Sequence, residues 1–514
     1  MLPRVVGLET EFGCFVRDSD LGEPEDIVEI VKNTIFQNRR VGALDIHTRD
    51  FAFEPAGAGG FLINGGRLYI DAVGSHEEYA TPECASLTDL ALYDRAGRML
   101  LQSALDDLQI ADRVSFHDNS VDHFGGHTFG CHENYLIRVD EDRYLHAIGL
   151  LLPFLITRQI FAGVGRVGGH RLTRPDSRSN IMSLSDRDID YVWVSNFYGV
   201  EIDPEVDFQL SQRADHIVRA VSSRVRFNRA IINPKWDAYY SHEGAHRLHI
   251  LFGEANKSEY ATMLKVGATA AVLDIIERGE APEDLILEEP LRDLRSVSRD
   301  STYRWLVTLL DGSTIGAVDL QRRYLATAQR CLSGQDAETD WVLSEWERTL
   351  DDLERDPMST SDRLDWSAKR SLYEGFIASE GLSWQDDMLH SLDLEYHNIN
   401  PAAGLHAALE DQGRMIRYSD DVSVARAMTS PPASTRAHAR GGIVSALIER
   451  PGLGYIVDWD GVFVESRRQI NLTNPLRTYA AEAQRFIERL PTPSTAEKGA
   501  GAKRRKSRGQ DPAE

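Results

Sequence analysis

The 514-residue chain carries 57 Lys and Arg against 80 Asp and Glu, which gives a net charge of −23 at pH 7. This balance argues against sequence-independent binding of nucleic acid, which needs a basic surface, although a local basic groove is compatible with it. With 42% hydrophobic and 27% charged residues the sequence is typical of a globular protein, and its length allows a large core and more than one domain.

The N-terminus and the cysteines indicate the compartment. The opening MLPRVVGLETEFG lacks the apolar stretch of a signal peptide. The longest apolar run, 147–156, is interrupted by Pro153 and is too short to span a bilayer. The four cysteines lie far apart without a CxxC pair, so neither a disulfide framework nor a zinc knuckle is indicated. We therefore expect a cytoplasmic protein that binds neither membrane nor nucleic acid.

The stretch VVGLETEFGC (5–14) predicts the first strand. Alternate residues from Val6 to Phe12 form a mostly apolar face, and Glu9 and Glu11 point to the other side. Two carboxylates on one face either point at water, as in an amphipathic edge strand, or bind something positive.

A second strand with this alternation lies in NGGRLYIDAVGSHEEYATPEC (64–84). Arg67, Tyr69 and Asp71 share one face of it, with apolar residues between them, and Glu78 follows closely.

Further elements alternate along the chain. Helical spacing behind a Ser/Thr cap predicts a helix over 86–108, and a helix over 257–279 closes on a Gly. Strands are predicted at 130–139 and 246–255, and the pattern from about 335 to 395 is helical, with tryptophans as core or packing residues.

Polar faces recur on the later strands. His132 shares a face with Asn134, and His249 shares one with Arg247. A single strand histidine is more often a half-exposed or hydrogen-bonded residue than a metal ligand. Four such strands that adjoin, however, would form one concave surface, which carries Glu9, Glu11, Glu78, His132 and His249.

This set predicts a metal and nucleotide site. Carboxylates with a minority of imidazoles suit Mg²⁺ or Mn²⁺ better than zinc, and Mg²⁺ in such sites usually accompanies nucleotide phosphates. The sequence has no Walker A loop and no GxGxxG that opens a helix, so metals and arginines on a sheet would have to hold the phosphates.

The domain organisation follows from composition. We predict a catalytic domain over 1–410, a small C-terminal domain over 411–490 and a disordered polar tail over 491–514. In the small domain, GYIVDWDGVFVE predicts a strand pair around an Asp-Gly turn. Two stretches resemble insertions, at about 40–60 and at 170–206.

Several motifs together resemble the family of Pup ligases and Pup deamidases (depupylases). The motifs are GLETEFG, NGGRLYIDAVGSHEEYATPEC, FGCHENYLI, LSQRADHI, RLHILFGEAN, TMLKVG, DLEYH, PPASTRAHARG and VDW, and they run in family order over nearly the whole chain. The resemblance implies an α+β, glutamine-synthetase-like fold: a curved antiparallel sheet backed by helices, with a small C-terminal domain. It also implies ATP and Mg²⁺ as cofactors on the concave face.

The resemblance also implies roles for single residues. Those matched to metal coordination or the metals' immediate surroundings are Glu9, Glu11, Tyr69, Glu78, His132 and His249. Those matched to nucleotide contacts are Arg67, Thr81, Arg213 and Trp459, and Asp71 matches the catalytic aspartate.

Two activities occur in this family. A ligase uses ATP to phosphorylate the side-chain carboxylate of a C-terminal glutamate on a small disordered modifier, and a target lysine then attacks the acyl phosphate, which marks the target for the proteasome. A deamidase hydrolyses a C-terminal glutamine or the isopeptide bond. GLETEFG, DAVGSHEEYAT and VDW favour the ligase, whereas FQLSQRADHI, ERDPMSTSDRLDW and GLSW resemble the deamidase.

We therefore predict a ligase, with a deamidase or depupylase as the alternative. An inactive modifier-binding protein is a third possibility, but clustered acids are costly to retain without a cation.

The chain also departs from the family pattern. INPKWDAYYSHEGAH stands where members have an NTRDEPH-like segment, so an expected nucleotide-site arginine is absent, and Lys235 or Arg229 could replace it. HDN (117–119) stands where KNN is usual. These differences indicate a divergent branch whose modifier could be a relative of Pup.

Residues from about 492 onward have no periodic apolar face, so deleting them should leave folding and the chemical step intact. Thermal unfolding and nucleotide binding of the truncated protein check this. Aggregation, or loss of nucleotide binding, would show that the tail belongs to the fold.

Overall fold

The computed structural model describes residues 4–49, 54–71, 76–122, 127–173, 199–222, 229–234, 244–465 and 468–491. The predicted tail therefore lies outside the described residues, except for Pro491.

The strands of the N-terminal half are numbered here in chain order. They are β1 (Val6–Val16), β2 (Gly42–Leu44), β3 (Gly59–Leu62), β4 (Arg67–Asp71), β5 (His76–Ala80), β6 (Val114–His117), β7 (Cys131–Ile137), β8 (Arg166–Val167), β9 (His170–Thr173), β10 (Gly199–Ile202), β11 (Phe208–Gln209), β12 (Arg219–Val221), β13 (Ala230–Asn233) and β14 (His246–Ile250). The later strands are β15 (Leu306–Thr308), β16 (Thr314–Gly316), β17 (Tyr455–Asp458), β18 (Gly461–Val464) and β19 (Arg468–Asn471).

The α-helices are named by their bounds. They are Pro24–Asn33, Leu87–Asp107, Tyr144–Thr157, Gln159–Ala162, Glu259–Glu277, Pro290–Arg299, Ala317–Leu332, Ala337–Arg355, Asp365–Glu380, Asp387–Tyr396, Leu405–Asp411, Asp421–Ala427, Ala437–Ile448 and Ala480–Glu488. Short 3-10 turns occupy Ser19–Leu21, Glu141–Arg143, Ala214–His216 and Pro357–Thr360, and a π turn occupies Thr34–Asn38.

The predicted elements are present. Ser86 and Ser258 cap the two long helices by accepting hydrogen bonds from the backbone N–H groups of Asp89 and Ala261. Gly279 follows the second helix with a φ of 72°, in the left-handed region that favours glycine.

One large sheet organises the molecule, in the order β12-β13-β14-β7-β1-β5-β4-β3-β2, with β6 paired to the far end of β1. The pairs are antiparallel except β12 with β13, so the sheet is mixed rather than purely antiparallel. β2 and the start of β3 come from the stretch 40–60, so this stretch contributes to the edge of the sheet. Of the stretch 170–206, residues 174–198 lie outside the described residues.

Helices cover the apolar face of this sheet. Leu8 of β1, Tyr135 of β7 and Leu248 of β14 belong to one buried hydrophobic cluster, together with the helices Leu87–Asp107 and Glu259–Glu277. Trp346 and Trp366 are fully buried in the same cluster, as predicted for the helical region. The opposite face of β1, which carries Glu9 and Glu11, is left for polar groups.

A small three-stranded sheet, β17-β18-β19, forms the C-terminal part with the helices Ala437–Ile448 and Ala480–Glu488. Its hydrophobic cluster includes Ala43 and Phe61 of the large sheet, so the two sheets share a core. The domain boundary at 410/411 stays a prediction.

The hairpin of this small sheet differs from the predicted turn. Asp458 pairs with Gly461, so the two-residue loop is Trp459–Asp460, and Gly461 begins β18. The Asp460 carbonyl accepts a hydrogen bond of 2.6 Å from the N–H of Leu472, so the segment after β19 holds the loop in this register. Trp459 therefore sits at the tip of the hairpin.

No helix in the described part of the chain combines the length and apolar character that crossing a bilayer requires.

A buried ion pair joins the sheet to the helices. Glu133 of β7 accepts two hydrogen bonds from the guanidinium of Arg158, one of them at 2.9 Å, and both side chains are at most 2% exposed. Burial opposes the charge of Glu133, but Arg158 keeps the pKa of its carboxyl below the ordinary value.

Glu133→Ala should lower the free energy of unfolding by about 3–5 kcal/mol, because it leaves Arg158 buried without its counter-charge. Chemical denaturation measures this. The matched control Glu283→Ala removes a carboxylate that is 81% exposed, and it should change the free energy by no more than about 0.5 kcal/mol. Equal effects of the two substitutions would contradict the structural role of the pair.

Candidate metal and nucleotide site

Strand register brings the predicted metal ligands together. Glu9 of β1 lies opposite His132 of β7, and Glu11 lies opposite Glu78 of β5. His249 of β14 lies one strand further along. It is opposite Asn134, which is two residues from His132 on β7. Residues directly opposite each other in a sheet point to the same face, so these side chains meet on the side that the helices leave uncovered.

The first group is Glu9, His132 and His249. Each offers a ligand atom, and these atoms all lie within 4.8 Å of one another. The Nδ1 of His132 is 3.3 Å from Oε2 of Glu9, and the two imidazole centroids are 5.1 Å apart. Burial opposes ionisation of Glu9, but the hydrogen bond from His132 and nearby positive charge hold the pKa of its carboxyl well below the ordinary value.

The second group is Glu11, Asp71 and Glu78, whose carboxylate oxygens also lie within 4.8 Å of one another. Burial and repulsion by neighbouring carboxylates, Glu11 foremost, raise the pKa of the Glu78 carboxyl well above the ordinary value. Glu11 is also buried, but a hydrogen bond from His76 lowers the pKa of its carboxyl to about 2. Three clustered carboxylates are expensive without a cation, and they are the ligands that Mg²⁺ prefers.

Asp71 thus lies inside this acidic group, and not apart from the predicted metal ligands. Its Cα pairs with that of His76, and the strand β4 also carries Tyr69 opposite Glu78. Burial and the charge of Glu78 raise the pKa of the Tyr69 hydroxyl well above the ordinary value, so this phenol stays protonated.

Arg67 occupies the same face of β4 but is held by carboxylates of the chain. Its guanidinium stacks 4.3 Å from the ring centroid of Tyr69, and its Nη2 lies 3.0 Å from Asp45 and 2.7 Å from Glu54. Both carboxylates come from the stretch 40–60, so Arg67 is fixed next to the site by residues that the motifs do not include.

A cavity adjoins the first group. Glu9, Thr81, Arg247, Arg436 and Trp459 are among the residues that line it. The predicted nucleotide contacts Thr81 and Trp459 therefore meet at one cavity, between β1 and the C-terminal hairpin.

Arg213 lies at the other end of the site. Its side chain is buried, and its Nε and Nη1 have no hydrogen-bond partner among the residues that the structure describes. Burial lowers the pKa of this guanidinium, although Glu11 and Glu254 are close enough to favour its charge. Arg229 is a neighbour, since burial and the charge of Arg213 lower its pKa to about 10. The other proposed substitute, Lys235, lies outside the described residues.

Three neighbours of the metal groups were left out of the predicted site. Asn134 donates a 3.0 Å hydrogen bond to Oε1 of Glu9, and Arg247 approaches the same oxygen to 3.7 Å. His76 lies 3.5 Å from Glu11. The alternation of side chains along a strand places Asn134 on the same face as His132, and Arg247 on the same face as His249. This periodicity in the sequence is sufficient to predict both as neighbours of the metal groups.

Comparison with known proteins gives the family. The sequence profile of the family described as Pup-ligase protein matches residues 4–463. A Pup–protein ligase of Nakamurella multipartita is 34% identical over 504 residues, which cover 95% of this chain and 100% of that relative. The chain belongs to the Pup-ligase family. A Pup–protein ligase of Gordonia bronchialis is 33% identical over 501 residues, or 95% of this chain and 99% of its own.

Solved structures of Pup ligases have the same fold. The complex of the prokaryotic ubiquitin-like protein Pup with its ligase PafA matches with a TM-score of 0.76 and 29% identity, over 100% of this chain and 99% of that chain. PafA in complex with ADP matches with a TM-score of 0.69 and 30% identity, over 91% and 93% of the two chains. The predicted family, the fold class and the ligase interpretation are confirmed; the residue roles stay predictions.

Glu78→Gln should stabilise the cation-free protein at pH 7, because it removes repulsion without changing the volume of the side chain. The free energy of unfolding should rise by about 1 kcal/mol or more, since each unit of raised pKa corresponds to about 1.4 kcal/mol. An acid whose pKa is raised in the folded state destabilises that state only above its unfolded pKa, so the gain should vanish below pH 4.5. Thermal unfolding across pH measures this.

The same variant should lose most of the stabilisation that Mg²⁺ with nucleotide gives the wild type. The exposed control Glu449→Gln, whose side chain is 75% exposed, should behave as the wild type in both measurements. A Glu78→Gln protein that is less stable alone but fully stabilised by Mg²⁺ and nucleotide would contradict the metal assignment.

Proposed function

We propose that this protein is an ATP-dependent ligase that joins the side-chain carboxylate of a C-terminal glutamate, on Pup or a closely related modifier, to lysines of target proteins. The observation that supports this most directly is the placement of two carboxylate-containing groups beside a cavity lined by Thr81 and Trp459, in a chain of the Pup-ligase family. The relatives are named as Pup–protein ligases, and solved PafA structures contain Pup or ADP.

The proposed cation site uses both groups. Glu9, His132 and His249 would hold one Mg²⁺, and Glu11 with Glu78 would hold another, with Tyr69 beside it. Bound Mg²⁺ would neutralise phosphate charge and orient the terminal phosphate of ATP. Burial and the charges of the neighbouring carboxylates raise the pKa of Glu78 well above its ordinary value, which supports a site built for positive charge.

The nucleotide would lie along β1. Thr81 and Trp459 would contact the base and ribose, because they line the cavity beside Glu9. Arg213 would face the terminal phosphates, because it lies near Glu11 and two of its nitrogens lack a described partner. Arg229, next to Arg213, is the better candidate for the arginine that the family pattern leads one to expect. Asp45 and Glu54 already bind the guanidinium of Arg67. Arg67 would therefore contact the nucleotide only through an N–H group that these two carboxylates do not use.

Asp71 would act as the general base. A free lysine has a pKa of about 10.4, so only about one amine in 2,500 is neutral at pH 7. A positioned carboxylate that takes the proton as the amine attacks the acyl phosphate typically contributes about 10²–10⁴-fold. A carboxylate oxygen of Asp71 lies within 4.8 Å of those of Glu11 and Glu78, which supports a proton acceptor beside the proposed phosphate-transfer site.

The partners follow from this chemistry. The ligase would bind a small disordered modifier and present its C-terminal glutamate to the lysine of a folded target, and the conjugates would be substrates of a proteasome. We place the reaction in the cytoplasm, where ATP is available.

The reaction can be tested with purified components. The protein is mixed with ATP, Mg²⁺ and Pup that ends in glutamate, and modifier mass and conjugates are followed by mass spectrometry. We expect ATP-dependent conjugates with Pup ending in glutamate and none with Pup ending in glutamine. Conversion of the glutamine form to the glutamate form without conjugation would instead show a deamidase.

Asp71→Asn should bind Mg²⁺ and ATP with near-normal affinity but lose about 10²–10⁴-fold in conjugation rate, because the amide keeps the shape and removes the basicity. Nucleotide titration and single-turnover conjugation measure the two effects separately. Asp112→Asn, at a position that is 81% exposed, is the matched control and should conjugate normally. Wild-type turnover in Asp71→Asn would exclude this aspartate as the base.

A further inference from the structure

The loop that carries Arg213 contains no helix or strand of its own between β11 and the turn Ala214–His216. Yet Arg213 is only 3% exposed, and its Nε and Nη1 make no hydrogen bond to any residue that the structure describes. These two nitrogens therefore make no hydrogen bond that fixes where the guanidinium lies. Something else in the fold must fix it.

The backbone N–H of Arg213 donates to Oγ of Ser211 and to Oε1 of Glu254, both at 3.2 Å, and the neighbouring residue Gln212 also holds the loop, through its side-chain amide. Its Oε1 accepts a hydrogen bond of 2.5 Å from the N–H of Ser120, and its Nε2 donates to the carbonyl of Gly165 at 3.1 Å. The same Nε2 lies 3.0 Å from Nε2 of His397. Gln212 is 1% exposed and His397 is fully buried.

The protonation of His397 follows from its other nitrogen. Nδ1 of His397 lies 2.9 Å from Oδ1 of Asp118. Burial opposes the charge of Asp118, but Lys257 and Arg98 keep the pKa of its carboxyl well below the ordinary value, so this carboxylate is an acceptor. The proton of the imidazole therefore sits on Nδ1.

With that proton on Nδ1, Nε2 of His397 is a hydrogen-bond acceptor. Burial and the charge of Lys369 lower the pKa of His397 to about 4, so the ring is neutral near pH 7. Nε2 can then accept from the amide of Gln212, and Lys369 Nζ lies 3.1 Å from the same atom. A carboxylate thus orients an imidazole, and the imidazole orients the glutamine next to Arg213.

We propose that His397 is a positioning residue for Arg213: through Gln212 it sets where this buried guanidinium lies in the nucleotide site. The proposal rests on the proposed function, in which Arg213 faces the phosphates of ATP. It gives a role to the DLEYH motif, whose histidine lies outside the metal and nucleotide groups, and to Asp118, where the family usually has asparagine.

The test compares three variants for binding of ATP and AMP with Mg²⁺ by calorimetry. His397→Leu fills the space of the imidazole but offers no hydrogen-bond acceptor to Gln212. His397→Gln retains an acceptor. His406→Leu is the matched control: His406 is also buried, and its ring packs on Tyr396 as that of His397 does, at 5.5 Å against 5.6 Å between centroids. A general loss of stability would affect both positions alike.

For His397→Leu we expect ATP affinity to fall by about 10- to 100-fold, the range typical of groups that orient a ligand-binding residue. AMP affinity should change less, because AMP lacks the phosphates that Arg213 would meet. His397→Gln should recover much of the loss, and His406→Leu should keep the wild-type ratio of ATP to AMP affinity.

A double-mutant cycle makes the test specific. In an Arg213→Ala background, His397→Leu should have no further effect on ATP affinity, because both act through one guanidinium. Effects that simply add, or an unchanged ATP affinity in a folded His397→Leu protein, would overturn the proposal. If His397→Leu does not fold, Gln212→Leu takes its place, with the same expectations.

Hydrogen exchange separates this proposal from the proposed function. His397→Leu should speed amide exchange in residues 211–214 of the nucleotide-free protein, whereas His406→Leu should not. If the wild type binds no ATP, the proposed function fails, and exchange at 211–214 alone decides the positioning role. Unchanged exchange there would overturn it.

Discussion

The register of β1 between β5 and β7 is the constraint on which the rest of this structure depends. Glu9 meets His132 on one side of the strand, and Glu11 meets Glu78 on the other. A slip by one residue would turn Glu9 and Glu11 into the helix-covered core and expose Leu8. The register is therefore fixed by hydrophobic burial on one face, and the polar site on the other face results from it.

Buried charge on the two faces of the sheet is handled in different ways. Two buried ion pairs lie behind the sheet: Glu133 with Arg158, and Arg4 with Asp274 at 2.7 Å. Breaking such a pair is costly, but an intact pair is nearly neutral for stability. On the front face Glu11 and Glu78 meet with like charge, which disfavours the folded state. This conflict is typical of a functional site, where local rules of stability are broken and the surrounding core compensates.

The sequence predicts those parts of this site that follow from the periodicity of a single strand. The period of two places Glu9 and Glu11 on one face from a single strand, whereas the partner of Glu9 lies 123 residues away and depends on long-range register. Family motifs supplied that information. Arg67 shows their limit, because its partners Asp45 and Glu54 come from a stretch that the sequence presents as an insertion. The hairpin of the small sheet shows another limit of prediction from sequence. Its two-residue loop is held by a contact with the segment after β19, and rules for turns consider only the residues of the turn itself.

The order of groups along β1 explains how a chain with a net charge of −23 can bind a polyphosphate. The cavity adjoins Glu9, and Arg213 lies near Glu11. These two glutamates are two residues apart, or about 7 Å along an extended strand. A nucleotide that reached from the cavity to Arg213 would therefore carry its phosphates directly over both carboxylate-containing groups. Repulsion would prevent this unless divalent cations lay between the phosphates and the glutamates, so nucleotide binding in this geometry would depend on metal. The net charge of the chain would then matter little for this step, because the local arrangement of carboxylates, cations and the buried guanidinium would decide it.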